Sequence, residues 1–204
     1  MENIIATGAE AILIHKDNRL IKRRIKKSYR LKEIDEKLRK ARTKKESRLL
    51  EKAYKFIPVP KILKMDEKSN EIEIEFIEGK KLSTHLDNLP NAIEICKTIG
   101  NQIAILHDND IIHGDLTTSN MILSNKDNKI YFIDFGLGFE SKKPEDKAVD
   151  LHLIKQALEA KHFAHYKEFF NAILEGYKSS KNYKTIFNRL AKVEARGRYK
   201  QQAC

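Results

Sequence analysis

The sequence predicts an α+β chain in which short strands come first and helices follow. Three observations carry that reading. Before residue 77 the chain has runs such as Glu71-Ile72-Glu73-Ile74-Glu75-Phe76, whose two-residue alternation leaves one buried face, as in a strand. After residue 90 the apolar spacing lengthens to that of a helix, with Ile95, Ile99, Ile103 and Leu106 on one stripe. Between these regions and the later helices lies Ile111 to Gly136, IIHGDLTTSNMILSNKDNKIYFIDFG. This stretch places Asp115, Asn120 and Asp134 on two loops joined by a predicted β-hairpin. Two carboxylates and an amide form a hard-oxygen set suited to Mg²⁺ carrying phosphate.

Composition narrows the class. At 204 residues the chain is one domain or one small two-lobed unit, and 41% hydrophobic residues suffice for a core. Lys and Arg number 40 against 29 Asp and Glu, a net charge of +11, so an anionic partner is expected. The excess sits at the ends: residues 16–55 carry +12, residues 179–204 carry +6, and the remainder carries −7. Two cysteines, Cys96 and Cys204, form no disulfide framework or metal spacing and suit a reducing cytoplasm. No basic leader or run of 18 apolar residues stands in the sequence, so neither export nor membrane anchoring is expected.

In order, residues 3–14 and 19–25 read as two strands joined by a turn at Asp17-Asn18. Gly8 inside ATGAE either makes a hairpin turn or lets backbone N–H groups approach a phosphate. Lys22, Arg24 and Lys26 share one strand face by alternation, which singles out none of them. Residues 30–55 predict the longest helix, with Leu31, Ile34, Leu38, Ala41, Leu49 and Ala53 as its apolar face and Glu46 at the edge of that face. Lys37, Lys40, Lys44, Lys45 and Arg48 cover its outside and suit phosphate-backbone contact more than base stacking, since no aromatics are interleaved. Pro58-Val59-Pro60 ends the helix, and strands are expected over 61–65 and 71–77. Further helices are expected over 80–88, 91–108, 146–160, 164–178 and 181–194, with His107 structural. Arg196, Arg198 and Lys200 alternate in a polar tail that is either disordered or an RNA-contacting arm that orders on binding.

Asp115-x-x-x-x-Asn120 followed by Asp134-Phe135-Gly136 resembles the catalytic and metal-binding loops of the protein-kinase fold. That resemblance implies two lobes, a small β-rich N-lobe over 1–77 and a truncated helical C-lobe over 78–204. It also implies ATP and Mg²⁺ as cofactors. Asp115 would accept or orient the nucleophile's proton, while Asn120 and Asp134 would hold metal. Lys22 would grip the α- and β-phosphates and pair with Glu46, and the turn at Thr7-Gly8 would cover the phosphates. Backbone groups of Glu75 and Ile77 would meet the adenine edge, and Asp150 would bond the catalytic-loop backbone. The chain departs from the pattern in three places. It has one glycine in the phosphate turn, Gly114 where many kinases carry an activating Arg, and only 13 residues between Gly136 and Asp150 with no Ala-Pro-Glu. Little platform for a peptide substrate is expected.

Over essentially the whole length, IIATGAEAIL, LIKRRIKKSYR, ARTKKES, HGDLTTSNMIL, FIDFGLG, VDLHLIKQALEA and ARGRYK are similar to the PRPK family, the small atypical kinases of the KEOPS complex. That similarity implies a cytoplasmic Mg²⁺-ATPase that also phosphorylates Ser or Thr. It would work beside a threonylcarbamoyltransferase subunit and other KEOPS subunits in making threonylcarbamoyladenosine (t6A) in tRNA, with tRNA met at the level of the complex. The competing expectations are a dedicated Ser/Thr protein kinase and a non-catalytic RNA- or protein-binding scaffold.

Overall fold

The computed structural model describes residues 3–8 and 10–201, with side chains through Arg196. Five antiparallel strands form the first sheet: β1 (Asn3–Thr7), β2 (Ala11–Lys16), β3 (Arg19–Arg24), β4 (Ile62–Asp66) and β5 (Glu71–Glu75), in the order β1-β2-β3-β5-β4. Asp17 and Asn18 take φ of 46° and 58° between β2 and β3. That left-handed pair is the two-residue turn whose twist suits a hairpin. The single strand expected over 3–14 is instead two, because the Gly8 N–H bonds the Ala11 carbonyl at 2.9 Å and folds the chain back.

Helix α1 (Lys32–Ala53) follows the sheet. Leu49, Leu50 and Ala53 are buried, but Leu31, Ile34 and Leu38 are 70%, 52% and 37% exposed, which corrects the continuous apolar face expected from spacing. The first half of α1 is anchored by charge instead. Buried Asp35 pairs with Arg39 at 2.7 Å and Arg30 at 3.7 Å and accepts the Lys27 N–H at 3.4 Å.

The remainder is mostly helical. It comprises β6 (Gly79–Lys81), α2 (Leu82–His85), a 3-10 turn (Leu86–Asn88), α3 (Ala92–Asp108), β7 (Ile111–Ile112), a 3-10 turn (Thr118–Asn120), β8 (Met121–Ser124), β9 (Ile130–Phe132), β10 (Phe139–Glu140), α4 (Pro144–Lys161), α5 (Tyr166–Tyr177) and α6 (Tyr183–Gln201). Lys80 and Lys81 lie in a strand rather than in the expected 80–88 helix, because β6 completes the open edge of the β8–β9 hairpin. The backbone of α6 runs on through residues 195–201, where a tail was expected. Arg196 in that extension pairs with Glu145 at 2.7 Å, whereas the side chains of Arg198 and Lys200 lie outside the described residues.

The core behind the loops is the α3–α5 pair, with Ile99, Ile103, Leu106, Ile173 and Tyr177 essentially inaccessible. A Cβ at Gly100 would sit 1.9 Å from the Ile173 carbonyl oxygen, so this close approach requires glycine. No helix among the described residues is long and apolar enough to cross a membrane.

Candidate active site

The cleft has a basic wall built on β3 and α1. Lys22 Nζ lies 2.7 Å from Glu46 Oε1 and 2.7 Å from Asp134 Oδ1, bridging the sheet, α1 and the loop that carries Asp134. Arg24, two residues along the strand, places Nη2 2.5 Å from Glu46 Oε2, so both Glu46 oxygens are engaged. Arg24 and Glu46 are buried. Burial alone would drive the Lys22 ammonium toward neutrality, but the Glu46 and Asp134 carboxylates outweigh it and hold the pKa above the ordinary lysine value. Burial pulls the Asp134 pKa upward, and Lys22 together with the Gly136 N–H overrides it and leaves the value lowered. Both groups therefore stay charged at neutral pH.

The opposite wall is a loop held by hydrogen bonds to backbone. Asp150, 1% exposed on α4, accepts the His113 N–H at 2.8 Å and the Gly114 N–H at 2.9 Å, and meets His107 Nε2 at 3.2 Å. His107 in turn meets the Tyr177 hydroxyl at 2.8 Å, the structural role expected of it. His113 is fully buried; its Nε2 donates to the Ile133 carbonyl at 3.1 Å and its Nδ1 accepts the Asp115 N–H at 3.3 Å. Those bonds need a neutral ring protonated on Nε2, and burial lowers its pKa accordingly. One imidazole thus ties Asp115 to the strand end before Asp134. Gly114 has φ of +76°, and a Cβ there would lie 2.6 Å from the Leu137 carbonyl oxygen, so no larger residue fits.

Within the loop, Asn120 Nδ2 donates to Asp115 Oδ2 at 2.9 Å and to the Asp115 carbonyl at 3.0 Å, which leaves the amide oxygen outside both bonds. The Ile133 N–H bonds the Asn120 carbonyl at 2.9 Å, locking the two loops together. Asp134 takes φ of +61°, and its Oδ1 accepts the Gly136 N–H at 3.1 Å. No cluster of three or more His, Cys, Asp or Glu side chains suited to a metal occurs among the described residues. A metal here would rely on Asn120, Asp134 and oxygens from its ligand.

Two adjoining cavities occupy the cleft. One of about 340 Å³ has apolar walls including Leu13, Ile72, Ile74 and Ile133, with Lys22, Glu46, Asn120, Asp134 and the Glu75–Ile77 segment also lining it. The Glu75 N–H is spent on the Lys61 carbonyl at 2.9 Å, whereas the Ile77 N–H meets no backbone acceptor among the described residues. The other cavity, about 580 Å³, is lined by Thr7, Gly8, Lys22, Arg24, Asp115 and Asp134 among others. The expected residues therefore converge, with Asp150 behind the loop and Arg196 not lining either cavity.

Sequence reasoning missed two supports. Arg24 stood on the right face but could not be told from Lys22 and Lys26. His162, at the end of α4, meets Asp87 Oδ1 at 2.9 Å through Nδ1 and Thr118 Oγ1 at 3.0 Å through Nε2. Thr118 is fully buried, so its hydroxyl anchors the loop between Asp115 and Asn120 and has no access to a substrate. Residues 87, 118 and 162 share no local spacing that could have revealed this chain.

Comparisons with known proteins bear on the family and the fold. A family profile described as the RIO domain matches residues 11–168. The KEOPS complex subunit Bud32 of Pyrococcus abyssi is 42% identical over 190 residues, covering 90% of this chain and 86% of that protein. The EKC/KEOPS complex subunit bud32 of Dictyostelium discoideum is 39% identical over 210 residues, covering 97% and 83%. A probable bifunctional tRNA threonylcarbamoyladenosine biosynthesis protein of Methanobrevibacter smithii is 42% identical over 205 residues, but this chain spans only 37% of its length. Among solved structures, the Rio2 kinase–ADP/Mg²⁺-phosphoaspartate complex of Chaetomium thermophilum matches with a TM-score of 0.62 over 98% of this chain and 70% of that one. At 16% identity that likeness is one of fold, and the fold is kinase-like. With the profile spanning most of the chain and Bud32 relatives aligned along nearly all of it, the chain belongs to the RIO domain family, among its Bud32 members.

Proposed function

We propose that this chain is an Mg²⁺-dependent ATPase and atypical Ser/Thr kinase. In this reading it acts as the Bud32-type subunit of a cytoplasmic KEOPS assembly, beside a threonylcarbamoyltransferase subunit, in support of t6A formation in tRNA. The observation that carries the chemistry is Lys22, held 2.7 Å from both Glu46 and Asp134 in a cleft that also contains Asp115 and Asn120. Kinship with Bud32 subunits and with the bifunctional t6A proteins supports the assembly and the pathway.

The residues fit ATP and Mg²⁺. The smaller cavity offers apolar walls and the Ile77 N–H to a purine, and Asn120 and Asp134 offer hard oxygens to Mg²⁺ beside a lysine suited to phosphate. When bound, the metal supplies charge neutralisation at the phosphate oxygens. Lys22 exchanges Asp134 for phosphate oxygens, while Glu46, fixed from its other side by Arg24, keeps the ammonium in place. Asp115, oriented by Asn120 Nδ2, receives the proton of the attacking water or Ser/Thr hydroxyl. The lobes of this reading are 1–77 and 78–204, hinged after Glu75, with Thr7-Gly8 over the phosphates. The short segment after Gly136 gives a peptide little surface to lie on, which favours water as the acceptor over a Ser or Thr hydroxyl. Arg196, Arg198 and Lys200 are candidate contacts for tRNA or a partner subunit.

The test is to incubate the chain with Mg²⁺ and γ-labelled ATP, with and without tRNA and the KEOPS partners, and to count free phosphate against protein-bound label. Mostly free phosphate, raised by tRNA or partners and absent in Asp115→Ala, is the expected result. Label mainly on protein and indifferent to tRNA would replace the ATPase reading with a dedicated protein kinase. Complex function that survives Asp115→Ala would replace it with a scaffold.

A further inference from the structure

At the phosphate end of the cleft, the one glycine of the turn gives its N–H to the protein itself, spending it on the Ala11 carbonyl at 2.9 Å. Directly across the sheet from Ala11, in the β2–β3 register, stands Arg24. Arg24 lines the larger cavity together with Thr7, Gly8, Asp115 and Asp134. A buried cation thus borders the space that the glycine amide does not serve.

The Arg24 guanidinium has more donors than its bond to Glu46 uses. Arg24 is 6% exposed, and among the described residues its side chain bonds only Glu46, from Nη2 to Oε2. A guanidinium carries five N–H donors in a fixed planar fork. The sealed side-chain atoms without a partner among the described residues are Asn70 Oδ1, Gln102 Oε1 and His152 Nδ1, and none belongs to Arg24. Its unspent nitrogens are therefore not walled off; they reach the cavity that Arg24 lines. The other cations of that lining serve elsewhere. Arg42 is held by Glu10, while Lys45 is exposed and lies 5.9 Å from the centre of the Phe139 ring. Lys22 is divided between Glu46 and Asp134.

We infer that Arg24 is a second phosphate-binding residue of the cleft, one edge of its guanidinium holding Glu46 while the other donates to phosphate oxygens of the nucleotide. This role rests on the nucleotide reading proposed above and adds a residue to it. Arg24 borders only the larger cavity, whereas Lys22 borders both that cavity and the smaller one with the apolar walls. Arg24 therefore meets the phosphates remote from the purine, the β- and γ-phosphates, and leaves the base and the first phosphate alone. A lysine here would still neutralise Glu46, but as a point charge it lacks the planar fork that serves two anions at once. Because Glu46 stands on α1, the same guanidinium links that helix to the nucleotide.

The experiment measures, by calorimetry in the presence of Mg²⁺, the binding of a non-hydrolysable ATP analogue and of AMP to the full chain. The variants are Arg24→Lys, Glu46→Gln and the two combined. Arg24→Lys should weaken the ATP analogue at least about fivefold, as expected for lost charge-assisted bonds. Its AMP affinity should stay within about twofold of the wild type, which also shows that the cleft is intact. The loss for the analogue should persist when Glu46 is already Gln, because it arises at the phosphate and not at Glu46. A residue that acts only by holding Glu46 gives no further loss in that background. That pattern, an equal loss for AMP and the analogue, or an analogue affinity unchanged in Arg24→Lys would overturn the role of Arg24 while leaving the nucleotide reading in place. A wild type that binds neither ligand would overturn both.

Discussion

The two walls of the cleft hold their functional groups by different physics. On the β3–α1 side, Lys22, Arg24, Glu46 and Asp134 are bound by charge, and Lys22 divides itself between two carboxylates at the same distance. On the other side, the loop carrying Asp115 and Asn120 is held by the His113 and Gly114 N–H bonds to Asp150 and by the Asp115 N–H bond to neutral His113, with His162 and Asp87 bracing Thr118. The Lys22–Asp134 pair can pass to a competing anion because the Asp134 side chain is 47% exposed and the ammonium keeps Glu46 as its partner throughout. Buried backbone hydrogen bonds have no such freedom, because each group left unmatched costs its full desolvation. The comparison separates a charge-held wall, on which the proposed reading relies for phosphate and for Asp134 as a metal ligand, from a backbone-held wall that fixes Asp115 and Asn120, its proposed proton acceptor and second metal ligand.

The largest expected effect strikes the backbone-held wall's chemistry directly. Asp115→Ala should lower ATP turnover at least about 100-fold, the range for removing a positioned proton acceptor, with an unchanged far-UV spectrum and urea midpoint. Asp150→Ala should be the most damaging to stability, at about 3 kcal/mol, because the N–H groups of His113 and Gly114 lose their acceptor inside the protein. Urea unfolding measures it, and a loss below about 1 kcal/mol would mean the loop finds other partners. On the charge-held wall, Arg24→Met should cost less, about 2 kcal/mol, since Lys22 still neutralises Glu46. Its signature should be a KM for ATP raised severalfold with kcat nearly retained.

A gentler probe is pH. Burial holds the His113 imidazole below its ordinary value, so on acidification the unfolded chain takes up the proton before the folded one does. Its contribution to stability is complete above about pH 6.5 and is lost progressively as pH falls below that. The urea midpoint should therefore drop more between pH 7 and pH 5 in the wild type than in His113→Asn. The smallest effect belongs to Glu140→Gln, which removes the ion pairs with Arg48 and Lys52 at the outer rim. Arg48 is exposed and Lys52 half-buried at the surface, and the change should stay under about 0.5 kcal/mol.

Much of the site was legible in the sequence because the chemistry demands short fixed spacings. His113 to Asn120 and Asp134 to Gly136 each lie on one loop, whereas Lys22 and its pairing with Glu46 came from the resemblance to the kinase fold and not from the spacing of the residues. Arg24 was hidden because alternation puts three cations on one strand face and does not say which reaches a buried carboxylate. The Asp87–His162–Thr118 link was hidden because it exists only after α2, α4 and the catalytic loop have packed. Helix α1 misled in the other direction: Leu31, Ile34 and Leu38 keep helical spacing, yet the buried anchor of that half is Asp35. Periodicity reports a helix, while the tertiary neighbours decide which face is covered. The end of α6 shows the same limit, since polar residues 195–201 continue a helix that a composition-based reading treats as tail.

The most direct measurement is calorimetric binding of a non-hydrolysable ATP analogue to the wild type and to Asp134→Ala, each with and without Mg²⁺. The account predicts that Mg²⁺ tightens binding at least tenfold in the wild type and leaves Asp134→Ala nearly unaffected. Equal Mg²⁺ dependence in both proteins, or none in the wild type, would contradict the assignment of this cleft.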